Sequence, residues 1–117
     1  MYNLDEIYSE GELVVKHLET DKFPAGHSYY AEIDAGARSR PLALIDFQNG
    51  PIREVGTNGF TNEALLAILI HRTETVNKQF PCEENELAIK RMKEALEAFN
   101  QRTANRKARG VNDTMIV

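Results

Sequence analysis

Three arginines near the C-terminus are the side chains with the clearest chemical potential in this sequence. Arg102, Arg106 and Arg109 are spaced by four and three residues, so an α-helix would place them on one face. Planar guanidinium groups donate paired hydrogen bonds that match the oxygens of a phosphate. Basic residues at a helix C-terminus also complement the helix dipole, which is the structural alternative. The spacing slightly favours a local anion-binding element.

Two further side chains could belong to such an element, and each has a structural alternative. Phe80 precedes Pro81 in a predicted bend, where an aromatic ring either closes the core of a hairpin or stacks on a nucleobase. Core packing is the more common of these two roles. Arg53 follows an Asn-Gly pair and could bind a phosphate, although an exposed arginine on a strand is more often simply solvated.

Patterns for catalysis and metal binding are weak. His17, His27, His71 and Cys82 do not share the spacing of metal ligands, and no two carboxylates are paired in the sequence for general acid–base chemistry. Glycine-rich phosphate loops of the Walker or dinucleotide type do not occur. We therefore expect a binding protein that is not an enzyme, with no metal and no cofactor.

Composition limits the class of partner and the compartment. The 117 residues are 42% hydrophobic and 27% charged, with a formal net charge of -4. This length predicts one globular domain, and the acidic balance argues against binding to long nucleic acid. The single cysteine fits a reducing compartment, and no apolar run predicts a signal peptide or a membrane span. We expect a soluble, cytoplasmic protein.

The elements that position these residues divide the chain into parts. Residues 1–57 predict a β-rich part, with short strands before residue 37 and a β-hairpin in which segments 42–48 and 51–55 flank an Asn49-Gly50 turn. A helical hairpin is predicted for residues 58–110. Its first helix is capped by Thr61 and extends to about Lys78, and its second helix spans roughly residues 83–109 and ends at Gly110. Residues 111–117 form a tail. The predicted fold class is α+β, with a small N-terminal antiparallel β-sheet followed by a C-terminal antiparallel two-helix hairpin.

Apolar residues in both predicted helices must be buried against other parts of the protein. In the first helix, apolar residues between 65 and 70 surround the axis, so a second subunit is expected to cover one face. In the second helix, one stripe is apolar in its first half and then carries the three arginines. Its apolar members are Ala88, Met92, Ala95 and Phe99.

Six stretches of the sequence together resemble a known family. These stretches are residues 47–56, 58–59, 63–68, 80–85, 102–106 and 108–114. In combination they are similar to the first described Thoeris anti-defence protein family of phages, over about residues 42–114. The resemblance implies a small antiparallel sheet followed by a helical hairpin, and this hairpin is shared with an anti-CBASS sponge family that sequesters cyclic oligonucleotides.

The resemblance also implies a function and an assembly. Members of the family capture cyclic ADP-ribose isomers made by TIR-domain enzymes and hold them without cleavage, so the effector of Thoeris immunity is not activated. Some members bind cyclic dinucleotides or trinucleotides at a separate site. The assemblies are dimers built into hexamers, and the expected location is the cytoplasm of the host cell.

Matched motif by motif, the resemblance implies roles for single residues. Phe80 would stack on adenine, Asn85 would make polar contacts to a base or ribose, and Arg53 and Arg109 would bind phosphate. Arg102 and Arg106 would serve the same ligand, the second site or a subunit interface. Two alternatives remain at this point: a phosphodiesterase-like enzyme that shares the hairpin, and a structural or regulatory oligomer that binds a partner protein.

Overall fold

A computed structural model describes residues 3–109 of the chain. It divides the chain into two compact units, with the boundary between Phe60 and Thr61. The predicted α+β fold class is confirmed, because a four-stranded antiparallel sheet is followed by helices. The division into a single domain with parts 1–57, 58–110 and 111–117 stays a prediction. Gly110, the predicted helix cap, and the tail lie outside the described residues.

The first unit contains a meander of antiparallel strands, in which each strand pairs with the next along the chain. The short strands predicted before residue 37 are therefore confirmed. Val14 is buried on the second strand, and on the third strand the buried Ser28 donates a hydrogen bond of 2.7 Å from Oγ to Oδ1 of Asp46. The strands are β1 (Asn3–Glu10), β2 (Leu13–Glu19), β3 (Ser28–Ile33) and β4 (Arg40–Asp46).

The predicted strand over residues 51–55 is wrong, and with it the Asn-Gly β-hairpin. Ile52–Val55 forms a single helical turn, α1, in which the Pro51 carbonyl accepts hydrogen bonds from the N–H groups of Glu54 (3.0 Å) and Val55 (2.9 Å). Proline suits the start of a helix because its missing N–H needs no partner there. After β4 the chain instead forms a short parallel bridge between Phe47 and Phe60. Arg53 therefore lies on a helical turn within a loop.

The second unit is an antiparallel helical hairpin, formed by α2 (Asn62–Gln79) and α3 (Glu83–Ala108). Near the bend, Lys93 Nζ lies 2.9 Å from Glu74 Oε2. At the open end, the Thr103 hydroxyl donates to Glu63 Oε2 over 3.3 Å. The first contact joins the second half of α2 to the middle of α3, and the second joins the start of α2 to the last turns of α3, as antiparallel pairing requires. Within residues 3–109, neither long helix contains the uncharged apolar run that a bilayer span requires.

The faces of the hairpin agree with the predicted pattern except at one position. On α2, Ile70 is buried while Ile68 and Leu69 are about half exposed, so apolar residues do surround the axis. On α3, the prediction that Ala88 belongs to the packed stripe is wrong, because Ala88 is exposed. The stripe is shifted by about one residue at its beginning. Its half-buried members are Asn85, Ile89, Met92, Ala95, Leu96, Phe99, Arg102, Thr103 and Arg106.

The predicted cap of the first long helix is confirmed and leads to a stability prediction. Thr61 Oγ1 accepts a hydrogen bond of 3.2 Å from the Ala64 N–H, one of the donors that a helix start leaves without a partner. Thr61→Ala is expected to lower the free energy of unfolding by about 1 kcal/mol, measured by urea denaturation. Thr61→Ser keeps the hydroxyl and is the matched control. Equal stability of the two variants would contradict this role of the cap.

Candidate anion-binding site

The arginine row lies in the last turns of α3, but its members differ in exposure. Arg102 and Arg106 are half-buried and continue the packed stripe of the hairpin, whereas Arg109 is exposed. Arg109 is the C-cap residue, and its N–H donates to the carbonyls of Asn105 (3.2 Å) and Arg106 (3.1 Å). Its backbone is therefore fixed while its guanidinium group extends from an exposed position. Of the three, Arg109 is the most accessible to a dissolved anion.

Arg102 lies over an aromatic ring of its own helix. Its guanidinium carbon lies 5.0 Å from the centroid of the Phe99 ring, which is a cation–π distance. The Nε of Arg102 is buried and has no hydrogen-bond partner among residues 3–109. A buried donor of this kind is costly. An acceptor supplied from outside the described residues would remove that cost.

An acidic residue from the other helix lies beside the arginine row. Glu63 accepts the hydrogen bond from Thr103, which directly follows Arg102 in α3. The stretch between Gln101 and Gly110 contains no acidic residue, so these residues supply no negative charge of their own to the row. The antiparallel pairing supplies the carboxylate, which lowers the local positive charge. The same antiparallel pairing brings the Lys93 ammonium group within hydrogen-bond distance of the Glu74 carboxylate. This hydrogen bond lowers the pKa of the Glu74 carboxyl.

The bend between the helices presents an aromatic ring to solvent. Phe80 is 73% exposed, the highest value among the large apolar side chains of the described residues, so it does not close the hairpin core. Its N–H donates to the Val76 carbonyl at 3.0 Å. Beyond Pro81, Cys82 accepts a hydrogen bond on Sγ from the Asn85 N–H over 3.4 Å. Phe80 and Asn85 are thus placed at the same ordered bend.

The predicted site residues form two groups within the hairpin. The bend carries Phe80 and Asn85, and the opposite end carries Arg102, Arg106 and Arg109. Asn85 and Arg109 are separated by roughly 36 Å along α3, at about 1.5 Å per residue. A single hairpin therefore does not place both groups around one small molecule. Outside the hairpin, Arg53 lies on α1 of the first unit and is exposed.

A shallow cleft of about 290 Å³ lies in the first unit at the end of β4. Its acidic member, Asp46, already accepts the hydrogen bond from Ser28, and its carboxylate would repel a phosphate. This cleft does not fit the predicted anion. Its lining residues are Leu44, Asp46, Asn58, Gly59 and Phe60. Over residues 3–109, no three His, Cys, Asp or Glu side chains are grouped so that they could hold a metal ion.

The fold and the site together define an α+β protein of the hairpin-domain class. An antiparallel sheet is followed by a two-helix hairpin, which carries guanidinium groups at its open end and an exposed aromatic ring at its bend. Residues 41–104 match the family described as Acb2/Tad1, hairpin domain, and the chain belongs to this family. The chain is also 47% identical over 74 residues to "Thoeris anti-defense 1" of Bacillus phage SBSphiJ7. The family resemblance predicted from the sequence is confirmed.

The similarity covers only part of each protein. It covers 62% of this chain and 52% of the Bacillus phage relative, so the chain spans about half the length of that relative. The family match begins within β4 and includes α1, α2 and most of α3. Strands β1 to β3 precede the matched segment. The family is therefore established through the hairpin and the loop before it.

Proposed function

We propose that this chain is a phage anti-defence protein that binds cyclic ADP-ribose isomers and holds them without cleavage. Sequestration would keep the signal of TIR-domain enzymes from its effector in the host cytoplasm and so block Thoeris immunity. The observation that carries the proposal is the family match over residues 41–104, which contains both the exposed Phe80 and the half-buried Arg102. The name of the Bacillus phage relative supports the same function.

The chemistry of the two groups suits the two kinds of moiety in such a ligand. At the bend, the ring of Phe80 would stack on adenine, and the Asn85 amide would bond to a base or ribose. At the open end, Arg109 would bind a phosphate through its planar fork. In the first unit, Arg53 on α1 is proposed as a phosphate ligand as well. For Arg102 and Arg106 three roles are open. They would bind the same ligand, form a separate site for cyclic dinucleotides or trinucleotides, or belong to a subunit interface.

The separation of the two groups supports a pocket to which more than one copy contributes. Because the bend and the open end of one hairpin are roughly 36 Å apart, Phe80 of one copy would meet Arg109 of another. A symmetric homo-oligomer forms such pockets readily, because its symmetry brings the bend of one copy to the open end of another in every interface of the same type. We propose dimers assembled into a hexamer, in which the exposed Ile68 and Leu69 of α2 are covered by a neighbouring copy.

Sequestration needs affinity rather than catalysis. A protein present at the concentration of a signal, and binding it tightly, lowers the free signal by mass action. A pocket between copies can enclose the bases and phosphates of a compact cyclic molecule. No nucleophile, general base or metal ion is required for this mechanism.

Recovery of intact ligand tests sequestration directly. The purified protein is incubated with cyclic ADP-ribose isomers, separated from free ligand by filtration and then heated to release what it holds. We expect the unchanged cyclic molecule in the supernatant, identified by mass spectrometry. A cyclic ligand opened by water at its pyrophosphate, with two separate monophosphates, would instead support the phosphodiesterase-like alternative. Linear ADP-ribose would show hydrolysis of a glycosidic bond and would likewise contradict sequestration. The double variant Phe80→Ala/Arg109→Ala is the control and should release no ligand; if it retains ligand, neither group forms the pocket.

A further inference from the structure

The loop that carries Arg53 is held by one buried amide side chain. Gln48 is only 2% exposed and lies directly after Phe47 at the end of β4. Its Nε2 donates to the carbonyls of Gly56 (2.8 Å) and Gly50 (3.2 Å), and its Oε1 accepts from the Asn58 N–H (2.9 Å). These partners lie on both sides of α1 in the sequence. A single side chain therefore joins the two arms of the loop.

A second pair of residues closes the same loop. The Asn49 N–H donates to Asn58 Oδ1 at 2.9 Å, and Asn58 Nδ2 donates back to the Asn49 carbonyl at 2.8 Å. Beneath this pair, the Gln48 N–H donates to the Phe60 carbonyl at 2.9 Å, and the Phe60 N–H donates to the Asp46 carbonyl at 2.8 Å. Both ends of the loop are thus bonded to each other, with α1 between them.

The helical turn inside the loop cannot hold its own position. It has four residues. An isolated turn of this length is unstable, because nucleating a helix costs more conformational free energy than the hydrogen bonds of one turn recover. Its side chains contribute little packing, since Ile52 is 43% exposed and Val55 is 54% exposed. The backbone position of this turn, from which the Arg53 side chain extends, therefore depends on the hydrogen bonds at the two ends of the loop.

We infer that Gln48 is a positioning residue for Arg53. By fixing the ends of the loop, Gln48 presents the Arg53 guanidinium to a phosphate of the bound nucleotide before the ligand arrives. A loop that had to be ordered on binding would lose conformational entropy at that step, which weakens affinity. The inference rests on the proposed function, in which Arg53 contacts phosphate.

A double-mutant cycle tests whether Gln48 acts through Arg53. Cyclic ADP-ribose and each of its isomers are titrated by calorimetry into the full chain and into Gln48→Met, Arg53→Ala and the double variant. Methionine fills similar volume but makes none of the three hydrogen bonds. Arg53→Ala should weaken binding at least about tenfold, which is typical of one lost charge-assisted hydrogen bond. Gln48→Met should weaken binding by a similar factor, and the double variant should be no weaker than Arg53→Ala.

Two further measurements separate positioning from general destabilisation. Val14→Ala removes buried volume from β2, away from the loop, and should leave ligand affinity unchanged while lowering stability. In hydrogen exchange without ligand, the Gly56 N–H, which donates to the Ile52 carbonyl, should exchange faster in Gln48→Met but not in Arg53→Ala. If Gln48→Met does not fold, Gln48→Asn keeps an amide at the buried position but is one methylene too short to make the same three hydrogen bonds, and the same cycle is run with it.

The possible results distinguish this inference from the proposed function. The positioning role alone would be overturned if the losses of binding free energy add in the double variant, or if the Gln48 variant binds with unchanged affinity. A wild-type chain that binds none of the cyclic ADP-ribose isomers would overturn the proposed function, and the role of Gln48 would be lost with it.

Discussion

Gly59→Ala is expected to destabilise the first unit more than any other single replacement of a glycine in the described sheet and loop. A Cβ at this position would lie 2.5 Å from the Phe47 carbonyl carbon, 2.6 Å from the Gln48 nitrogen and 2.7 Å from the Asp46 oxygen. All three are backbone atoms at the end of β4, where the chain forms the bridge between Phe47 and Phe60. Because backbone cannot rotate aside as a side chain does, we expect a loss of more than about 3 kcal/mol.

Urea denaturation followed by far-ultraviolet circular dichroism measures this loss. Gly26→Ala is the matched control, because Gly26 has a φ of 81° and a methyl group added there would meet no atom within 4 Å. That variant should cost only about 1 to 2 kcal/mol from backbone strain. Gly59 is not among the glycines with positive φ, so its larger effect would come from steric overlap alone. Equal losses in the two variants would contradict the close approach of the two segments.

Oligomers that contain two different weakly binding variants should recover native ligand affinity. Phe80→Ala removes a stacking ring, and Arg109→Ala removes a phosphate ligand; each should weaken affinity by about ten- to a hundredfold. If Phe80 of one copy meets Arg109 of another, a dimer with one copy of each variant contains one pocket with both native residues and one with neither. Such dimers should bind with native affinity at about half of the native number of sites, and hexamers in which the two variants assort at random should do so at about a quarter.

Co-expression with two different tags, followed by purification through both, gives these mixed oligomers. Calorimetric titration with cyclic ADP-ribose isomers then reports affinity and stoichiometry separately. Phe80→Ala paired with the double variant Phe80→Ala/Arg109→Ala is the control, since every copy in it lacks the ring. No recovery in the first mixture would show that one copy builds each pocket by itself, against the distance of roughly 36 Å along α3. Recovery in the control would show that Phe80 does not contribute.

The sequence by itself determined the helical hairpin and the family. Thr61 begins α2 and Pro81 separates the two helices, and both signals act within a few residues of the chain. The spacing of Arg102, Arg106 and Arg109 placed them on α3 for the same reason, because helical periodicity is a local property. The family motifs lie in the same segments, and the match over residues 41–104 confirmed what they indicated.

Only the tertiary structure decided the features that depend on residues far apart in sequence. The Asn49-Gly50 pair favours a hairpin locally, but the buried Gln48 binds Gly56 and Asn58 and makes residues 51–55 a loop with one helical turn. Glu63 accepts a hydrogen bond from Thr103, the residue after Arg102, only because the helices pair antiparallel. The exposure of Phe80 is likewise invisible to local patterns. Short-range rules assign elements to a chain, whereas long-range hydrogen bonds and packing decide which side chains meet.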